Sequence, residues 1–257
     1  MSVELYSWKY CPFAQRSRIA LAAKGVEHEL HEMDITKKPY PDWFMRLSPN
    51  GKVPTLVHDG RPLYESDVVS EYIDEVFDGP KLLPQDPYQR AISRLLIGYG
   101  SDNFVPILYR LLRNQDPARD AQLKERALAT WRWLDKRLRE FATSEDFLFG
   151  EPTLAEYSFG PFFQRWRITE YYRFFDVPDT SEFARINAWR AAAENLDIVR
   201  DTAPDTDTMI KVYADYARNY DNAKVPPGHD HSAFDTEAWP LAERPMPPRG
   251  LRLDTEK

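Results

Sequence analysis

The fold is decided by the stretch 3-VELYSWKYCPFAQRSRIALAAKG-25. Residues 3–7 are typical of a short strand and residues 8–10 of a loop, and Pro12–Lys24 is rich in helix formers. Gly25 is placed to end the helix, because glycine adopts the left-handed conformation of a helix C-terminus without strain. A strand, a loop and a helix in this order predict the start of an α/β unit.

Cys11 is the only cysteine of the chain and lies where the loop meets the helix. Pro12 suits the first helical position, because its missing N–H would be unpaired there. The thiol then faces free backbone amides, and the helix dipole with Arg16 and Arg18 favours a thiolate. We therefore expect a Cys11 pKa below the ordinary cysteine value of about 8.5. A CxxC pair is absent because residue 14 is alanine. Taken alone, the motif leaves a catalytic and a structural role open.

The α/β pattern continues to about residue 79. Residues 27–35 are typical of a second strand, residues 41–47 of a short helix, and residues 53–65 of a hairpin with a tight turn at Asp59-Gly60. Ser66 is placed to cap a helix that runs to Phe77. Prolines in residues 78–88 then break the pattern, and we expect the linker there. The first domain is therefore predicted at 1–79.

A helical domain is predicted at 88–223. Its clearest sign is an apolar stripe at spacings of three and four, formed by Leu123, Ala127, Trp131, Leu134, Leu138 and Phe141. Thr153 and Glu156 form a capping box at the start of a further helix. Residues 224–257 are proline-rich without a period, and we expect an extension that is ordered only where it packs on the body. The predicted fold class is α/β plus all-α.

Composition and charge argue against several functions. The chain has 257 residues and a formal charge of −7, and no block of it is rich in lysine and arginine. Nucleic-acid binding needs a basic face, so we expect a small ligand instead. We expect neither a membrane span nor a signal peptide, because the apolar runs are too short. A lone cysteine is most easily kept reduced in the cytoplasm, which is the expected location.

Two further short motifs point to backbone features that suit a ligand. In GKVPTL, residues 51–56, Val53-Pro54 lies between strand-like runs and predicts a turn, an edge or a cis bond. In YESDVV, residues 64–69, Ser66 begins a helix whose free amides suit a carboxylate, and Glu65 is placed to bind an ammonium. A plain helix cap is the alternative. The histidines do not have the spacing of a zinc site, and we expect no metal.

Six segments together resemble the glutathione transferase superfamily, most closely its cysteine-type omega class: CPFAQRSR, AAKGVEHE, KVPTL, YESDVVSEYIDEVF, KLLPQDPY and FGPFFQRW. Their order and spacing agree with the family from residue 3 to about residue 200. The resemblance implies an N-terminal thioredoxin-like domain followed by an all-helical C-terminal domain. The segments RPMPPRG and FATSEDFLF further resemble the bacterial glutathione lyase of the lignin aryl-ether pathway, which removes glutathione from an aromatic ketone adduct.

The resemblance also implies how glutathione is bound near the cysteine. Cys11 would form a mixed disulfide with glutathione, with Pro12 and Phe13 beside the ligand. Pro54 would be the cis-proline of the family, and the Val53 backbone would pair with the cysteinyl part of the tripeptide as an added strand.

The two ends of the tripeptide would be held by other residues. Glu65 and Ser66 would hold the γ-glutamyl end, and Lys38 would meet the glycyl carboxylate. Because KKPYPDW, residues 37–43, is longer than the corresponding family segment, Lys37 is an alternative to Lys38.

The helical half would bind an aromatic second substrate. Candidate pocket residues, each equally explained as helical core, are Tyr109, Trp166, Tyr213, Tyr216 and Tyr220. The implied function is a thiol transferase or reductive lyase that removes glutathione from aromatic α-keto thioether conjugates and yields oxidised glutathione. Dehydroascorbate reductase and a non-catalytic glutathione-binding redox sensor are the alternatives. The family also implies a homodimer.

Overall fold

The computed structural model describes residues 2–221 and 224–253. Residue 1, the last two residues of the predicted segment 88–223 and the last four of the predicted extension 224–257 lie outside the described residues. The strands are β1 Val3–Ser7, β2 Glu29–Glu32, β3 Thr55–His58 and β4 Arg61–Tyr64. The helices are α1 Pro12–Lys24, α2 Asp42–Leu47, α3 Ser66–Val76, α4 Pro87–Tyr99, α5 Val105–Leu112, α6 Asp120–Phe141, α7 Leu154–Arg173, α8 Ala184–Asn195, α9 Asp197–Asp201, α10 Thr206–Val212 and α11 Ala214–Ala217.

The first domain is a four-stranded sheet with helices packed on it. The strand order is β2-β1-β3-β4, with β1 parallel to β2 and antiparallel to β3. Leu5 of β1 lies opposite Leu56 of β3, and both are fully buried in one cluster with Ile73 of α3. A β-α-β crossover followed by a hairpin is the thioredoxin-like arrangement, so the predicted fold of this domain is confirmed.

Helix α1 begins and ends where the sequence predicts. Cys11 is its N-terminal capping residue, Pro12 is its first residue, and Gly25 ends it with a φ of 67°. Glycine adopts this angle without the strain that a side chain would cause. The cysteine is therefore held just beyond the carboxyl end of the central strand β1.

The start of α3 differs from the prediction. The capping position is Glu65, with a φ of 70°, and Ser66 is the first helical residue. The Glu65 side chain makes no capping hydrogen bond. The Ser66 hydroxyl instead accepts a hydrogen bond from Nη1 of Arg16 at 3.4 Å. The prediction that Ser66 caps α3 is wrong, because the chain enters the helix one residue earlier.

The helical domain packs around an aromatic core formed mainly by α4 to α8. The stripe predicted on α6 is confirmed, and its buried members are Leu123, Ala127, Trp131, Leu134 and Leu138. Trp166 of α7 lies in the same core, where its ring contacts those of Phe104 and Trp131. None of the helices in the described part of the chain is long and apolar enough to cross a bilayer.

The predicted capping box fixes the start of α7. The amide and the hydroxyl of Thr153 both donate to Oε2 of Glu156 at 2.8 Å. Oε1 of the same carboxylate accepts from the Leu148 amide at 2.8 Å and from the Trp189 indole at 2.6 Å. Because Glu156 is fully buried, these bonds tie α7 to the preceding loop and to α8.

The two domains meet along α1 and α7. Nε of Arg16 donates to the carbonyl of Ser158 at 2.9 Å, and its Nη1 donates to Asp67 at 2.7 Å. The fully buried Gln15 donates to the carbonyl of Val199 at 3.1 Å. The bonds to Ser158 and Val199 cross the interface, whereas Asp67 holds Arg16 from within the first domain, so the position of the helical domain is fixed relative to the helix that carries the cysteine.

Residues 224–253, here called the C-terminal arm, pack on both domains. Phe234 is 2% exposed and its ring contacts Trp8 of the first domain. Arg244 is buried and donates to three backbone carbonyls of the arm itself. The carbonyl of the fully buried Leu251 accepts from Arg173 of α7 at 2.9 Å. The arm thus reaches the first domain and returns to the helical domain.

Candidate functional site

A cavity of about 410 Å³ lies between the first domain, the helical domain and the C-terminal arm. This volume is in the range of small-molecule sites. Its polar lining is formed by Lys38, Ser48, Asn50, Lys52, Glu65 and Ser66. Its aromatic wall is formed by Trp8, Tyr40, Tyr109, Tyr213, Tyr216 and Phe234. The cavity is also lined by Cys11, Pro12, Phe13, Val53 and Pro54.

Cys11 Sγ lies between a helix N-terminus and the backbone of a second loop. The amide of Ala14 donates to Sγ at 3.5 Å, and Sγ donates to the carbonyl of Val53 at 3.9 Å. The Val53–Pro54 peptide bond is cis, as the family resemblance implied. The half-buried sulfur therefore faces both the first turn of α1 and the backbone before the cis-proline.

The environment of the thiol does not lower its pKa. Burial raises the pKa of Cys11 above its ordinary value, against the lowering effects of the Ala14 and Phe13 amides and of the charges on Arg18 and Arg165. The prediction of a lowered pKa is therefore wrong. The helix N-terminus acts in the expected direction, but removal of the thiol from water has the larger effect.

Glu65 and Ser66 lie at the cavity, as predicted. The exposed Glu65 accepts a hydrogen bond from Nδ2 of Asn50 at 3.4 Å. Ser66 is 7% exposed, and its hydroxyl is held by Arg16. Because Glu65 leaves the first amides of α3 without a side-chain cap, this helix start suits a ligand carboxylate, and Glu65 suits an ammonium beside it.

Of the two lysines predicted for a carboxylate, Lys38 lines the cavity and Lys37 does not. Nζ of Lys38 lies 5.7 Å from the ring centre of Tyr40. Nζ of Lys37 pairs with Glu237 at 2.9 Å and with Asp34 at 3.0 Å, and the hydrogen bonds to these carboxylates raise its pKa. Lys37 thus ties the C-terminal arm to the first domain.

Five rings of the aromatic wall, all except that of Tyr40, are joined by ring contacts. Phe234 lies 5.5 Å from Trp8, 5.5 Å from Tyr213 and 4.8 Å from Tyr216, measured between ring centres. Tyr109 lies 5.8 Å from Tyr216. Rings at these distances pack favourably edge to face or tilted, and they offer apolar surface to a ligand of similar chemistry.

The tyrosine hydroxyls of the wall form a short chain of donors. Tyr109 donates to Tyr213, which donates to the carbonyl of Tyr10 at 3.1 Å. Burial raises the pKa of Tyr109 well above its ordinary value, and it raises the pKa of Tyr213 as well. Burial also raises the pKa of Tyr40 to about 12. Near neutral pH these phenols are therefore protonated and act as hydrogen-bond donors.

The structure does not bring Trp166 or Tyr220 to the cavity. Trp166 is fully buried because its side of α7 faces the helical core, and Tyr220 is half-buried after the end of α11. Trp8 and Phe234 line the cavity but were not predicted from the sequence. Trp8 lies in a loop and Phe234 in the aperiodic arm, so neither residue belongs to a pattern that signals a site.

The fold and the site define the class: a thioredoxin-like protein with a helical second domain, in which a helix-capping cysteine and a cis-proline share one cavity. Residues 10–76 match the family model for the glutathione S-transferase N-terminal domain, and residues 116–192 match the model for its C-terminal domain. The chain is similar to pig (Sus scrofa) glutathione S-transferase omega-1, with 34% identity over 171 residues that cover 65% of this chain and 68% of the relative.

Solved structures agree with these matches. Rice GST1 in complex with glutathione has a TM-score of 0.75 and 28% identity, covering 86% of this chain and 98% of that one. Glutathione transferase Omega 3C from Trametes versicolor has a TM-score of 0.71 and 27% identity, covering 80% and 90%. The chain belongs to the glutathione S-transferase family, whose members are transferases.

Proposed function

We propose that the protein is an omega-like, glutathione-dependent thiol transferase that acts as a reductive glutathione lyase on aromatic conjugates. The observation that carries the proposal is the position of Cys11 Sγ, 3.5 Å from the Ala14 amide and 3.9 Å from the Val53 carbonyl, in a cavity with both a polar and an aromatic lining. A tripeptide that pairs with the Val53 backbone as an added strand brings its own sulfur to this position.

The polar lining supports one orientation of glutathione. The γ-glutamyl end carries an ammonium and a carboxylate, which suit the Glu65 carboxylate and the Ser66 hydroxyl with the first amides of α3. The glycyl carboxylate suits Lys38, the lysine that lines the cavity. Pro12 and Phe13 then lie beside the cysteinyl part. Opposite charges at the two ends fix the direction of the tripeptide in the site.

The proposed reaction follows from thiol chemistry. The Cys11 thiol loses its proton to solvent, and the thiolate attacks the sulfur of a glutathione conjugate. An S–S bond forms as the C–S bond breaks, and the electron pair leaves on carbon as an enolate that water protonates. A glutathione thiolate then attacks the mixed disulfide and releases oxidised glutathione and the Cys11 thiolate. The two glutathione sulfurs are oxidised and the carbon is reduced, so the electrons balance.

The aromatic wall supports an aromatic second substrate with a carbonyl next to the C–S bond. The rings of Trp8, Tyr216 and Phe234 offer apolar surface to an aryl group. The Tyr216 hydroxyl, which is protonated near neutral pH because burial raises its pKa, offers a donor to a carbonyl or enolate oxygen. The resemblance of RPMPPRG, residues 244–250, to the lignin aryl-ether pathway lyase supports the same substrate class and a role in lignin degradation.

A non-catalytic, glutathione-binding redox sensor is the second candidate. The observation that favours it is the raised pKa of Cys11, which burial causes. A protonated thiol attacks sulfur slowly, because the thiolate is the nucleophile. A protein that binds glutathione and only records oxidation has the same cavity but no turnover.

Intact-mass analysis separates the two candidates. Wild type and Cys11→Ser are incubated with an α-glutathionyl aryl ketone and, separately, with a simple alkyl conjugate. On the aryl ketone conjugate we expect one glutathione adduct on the wild type, followed by release of ketone and oxidised glutathione when free glutathione is added. Cys11→Ser should give neither. Binding without turnover supports the sensor, and equal rates on both conjugates contradict the enolate step.

We also propose that the protein is a cytoplasmic homodimer. Exposed apolar side chains lie on β4, α3 and α4: Tyr64, Val68, Val76, Tyr88 and Leu95. Glu71 of α3 and Arg94 of α4 join the two helices by an ion pair of 2.6 Å. Exposed apolar patches mark protein contacts. The lone thiol is best kept reduced in the cytoplasm. Light scattering on a sizing column should give a dimer, and Val68→Glu should give a monomer.

A further inference from the structure

Arg165 of α7 is a buried cation without a carboxylate partner among the described residues. Its Nη1 donates to Oε1 of Gln15 at 2.6 Å and to the carbonyl of Pro161 at 3.0 Å, and its Nη2 donates to the carbonyl of Tyr10 at 3.1 Å. Its Nε is buried and makes no hydrogen bond within the described part of the chain. The guanidinium is therefore held by neutral oxygens, with one N–H unused.

Some other buried arginines are neutralised by carboxylates, whereas Arg173 and Arg244 donate to backbone carbonyls of the helical domain and the arm. Arg16 pairs with Asp67 at 2.7 Å, and Arg190 pairs with Asp176 at 2.5 Å. Burying a guanidinium without a counter-charge costs free energy, because neutral acceptors compensate its lost hydration only in part. A preorganised cation of this kind stabilises an anion that forms next to it.

Cys11 is the group beside Arg165 that can become such an anion. Tyr10, whose carbonyl binds the guanidinium, directly precedes Cys11, and Gln15 lies one turn into the helix that Cys11 caps. Burial raises the pKa of Cys11, and the charge of Arg165 is among the effects that lower it.

The other groups that face Cys11 differ from Arg165 in pairing, exposure or charge. Arg16 is paired with Asp67. Arg18 lowers the pKa of Cys11 more than Arg165 does, but it is only partly buried; it donates to four neutral oxygens and also faces the carboxylate of Glu32. The remaining groups are phenols whose pKa burial raises, those of Tyr40, Tyr213 and Tyr216. Arg165 is thus the fully buried cation around the sulfur that lacks an acid partner.

We propose that Arg165 is an electrostatic positioning residue, whose guanidinium acts beside Arg18 as a fully buried counter-charge of the Cys11 thiolate, both before attack and when the mixed disulfide releases it. This inference rests on the proposed thiol chemistry of Cys11. Because the guanidinium is already bonded to the backbone before the cysteine and to α1, it acts without rearrangement when the charge appears.

The pH dependence of alkylation tests the proposal without glutathione. Cys11 is the only cysteine, so iodoacetamide followed by intact-mass analysis reports on this thiol alone. Arg165→Gln removes the charge and keeps a donor, and Arg165→Lys keeps the charge. Arg165→Gln should lower the alkylation rate at pH 7 by about tenfold and move the inflection to higher pH, since a close opposite charge changes the thiolate fraction at least that much. Arg165→Lys should retain most of the wild-type rate.

Arg190→Gln is the matched control. Arg190 is 5% exposed and pairs with Asp176 of the helical domain, so its loss loosens that domain without removing a contact to the arm. The pH profile of alkylation of this control variant should match the wild-type profile even if its melting temperature falls. Arg165→Met is a second neutral variant if Arg165→Gln does not fold.

Two results would overturn the role of Arg165. If a folded neutral variant shows the wild-type pH profile of alkylation, the charge of Arg165 does not stabilise the Cys11 thiolate. An equal shift of the inflection pH in Arg165→Lys or in Arg190→Gln assigns the effect to loosened packing. A different result would contradict the proposed function: Cys11 reacts with iodoacetamide with the predicted charge dependence, but the wild type forms no adduct with glutathione conjugates.

Discussion

Replacing Phe234 by alanine removes the ring that the C-terminal arm contributes to the aromatic wall. The ring is 2% exposed and lies 5.5, 5.5 and 4.8 Å from the ring centres of Trp8, Tyr213 and Tyr216. Burying a Phe side chain is worth about 1.5–3 kcal/mol, and Phe→Ala in a core costs about 3–5 kcal/mol once the remaining cavity is included. We expect a loss of about 3 kcal/mol, because the new space joins the existing cavity and fills with water.

The functional consequence should depend on the substrate. Losing one aromatic contact of about 1.4 kcal/mol should slow turnover of an α-glutathionyl aryl ketone about tenfold, whereas a small alkyl conjugate that does not reach the wall should be little affected. Steady-state rates on both conjugates, with a thermal melt, measure these effects. Phe174→Ala is the matched control, because this ring is 62% exposed and its removal should change stability by no more than about 0.5 kcal/mol. Equal losses on both conjugates would refute a role for Phe234 in substrate choice.

Ser66→Ala should weaken glutathione binding about tenfold with little change in melting temperature, since Ser66 does not cap α3. Titration calorimetry and a thermal melt check both effects. Unchanged affinity with a lowered melting temperature would contradict the assignment. In the same titration Lys38→Met should weaken binding and Lys37→Met should not. Glu156→Gln should cost about 3 kcal/mol in urea unfolding, because its buried carboxylate accepts four hydrogen bonds. Cys11 alkylation should inflect above the ordinary thiol pKa, because burial raises the folded-state pKa. The free energy of unfolding should accordingly fall as pH rises past the unfolded value of about 8.5, where the folded state still holds the proton, and Cys11→Ser should lose this dependence.

The first domain was predictable because its signals are local. The capping cysteine, the proline after it and Gly25 each act on the backbone beside them, so the limits of α1 could be placed from the sequence. The same holds for the Thr153 and Glu156 capping box, which needs only a spacing of three residues. At Val53–Pro54 the context, a proline between two strand-like runs, left a turn, an edge or a cis bond open, and the family resemblance pointed to the cis bond that is found.

The site was harder to predict because it depends on distance in space. Helical periodicity marks Trp166 as buried but does not tell whether it faces a cavity or the core, and the structure puts it in the core. Phe234 lies more than 200 residues from Trp8 in the chain, and no pattern links the two. The pKa of Cys11 was misjudged because the amides are visible in the sequence, whereas the burial that outweighs them comes from the helical domain and the arm.

The arm residue that we expect to choose the substrate and the residues that carry out the chemistry are encoded in different parts of the chain. Cys11, the cis-proline and the polar lining are encoded by the first quarter of the chain, while Phe234 belongs to one uninterrupted segment near its end. Around Phe234 that segment is held on one side by Asp215, which accepts from the Ala233 amide at 2.6 Å, and on the other by Lys37, which pairs with Glu237, so the residues between can be exchanged without moving either anchor. A lineage, or a protein engineer, can therefore graft a different stretch between these anchors and obtain a new specificity on an unaltered reactive centre.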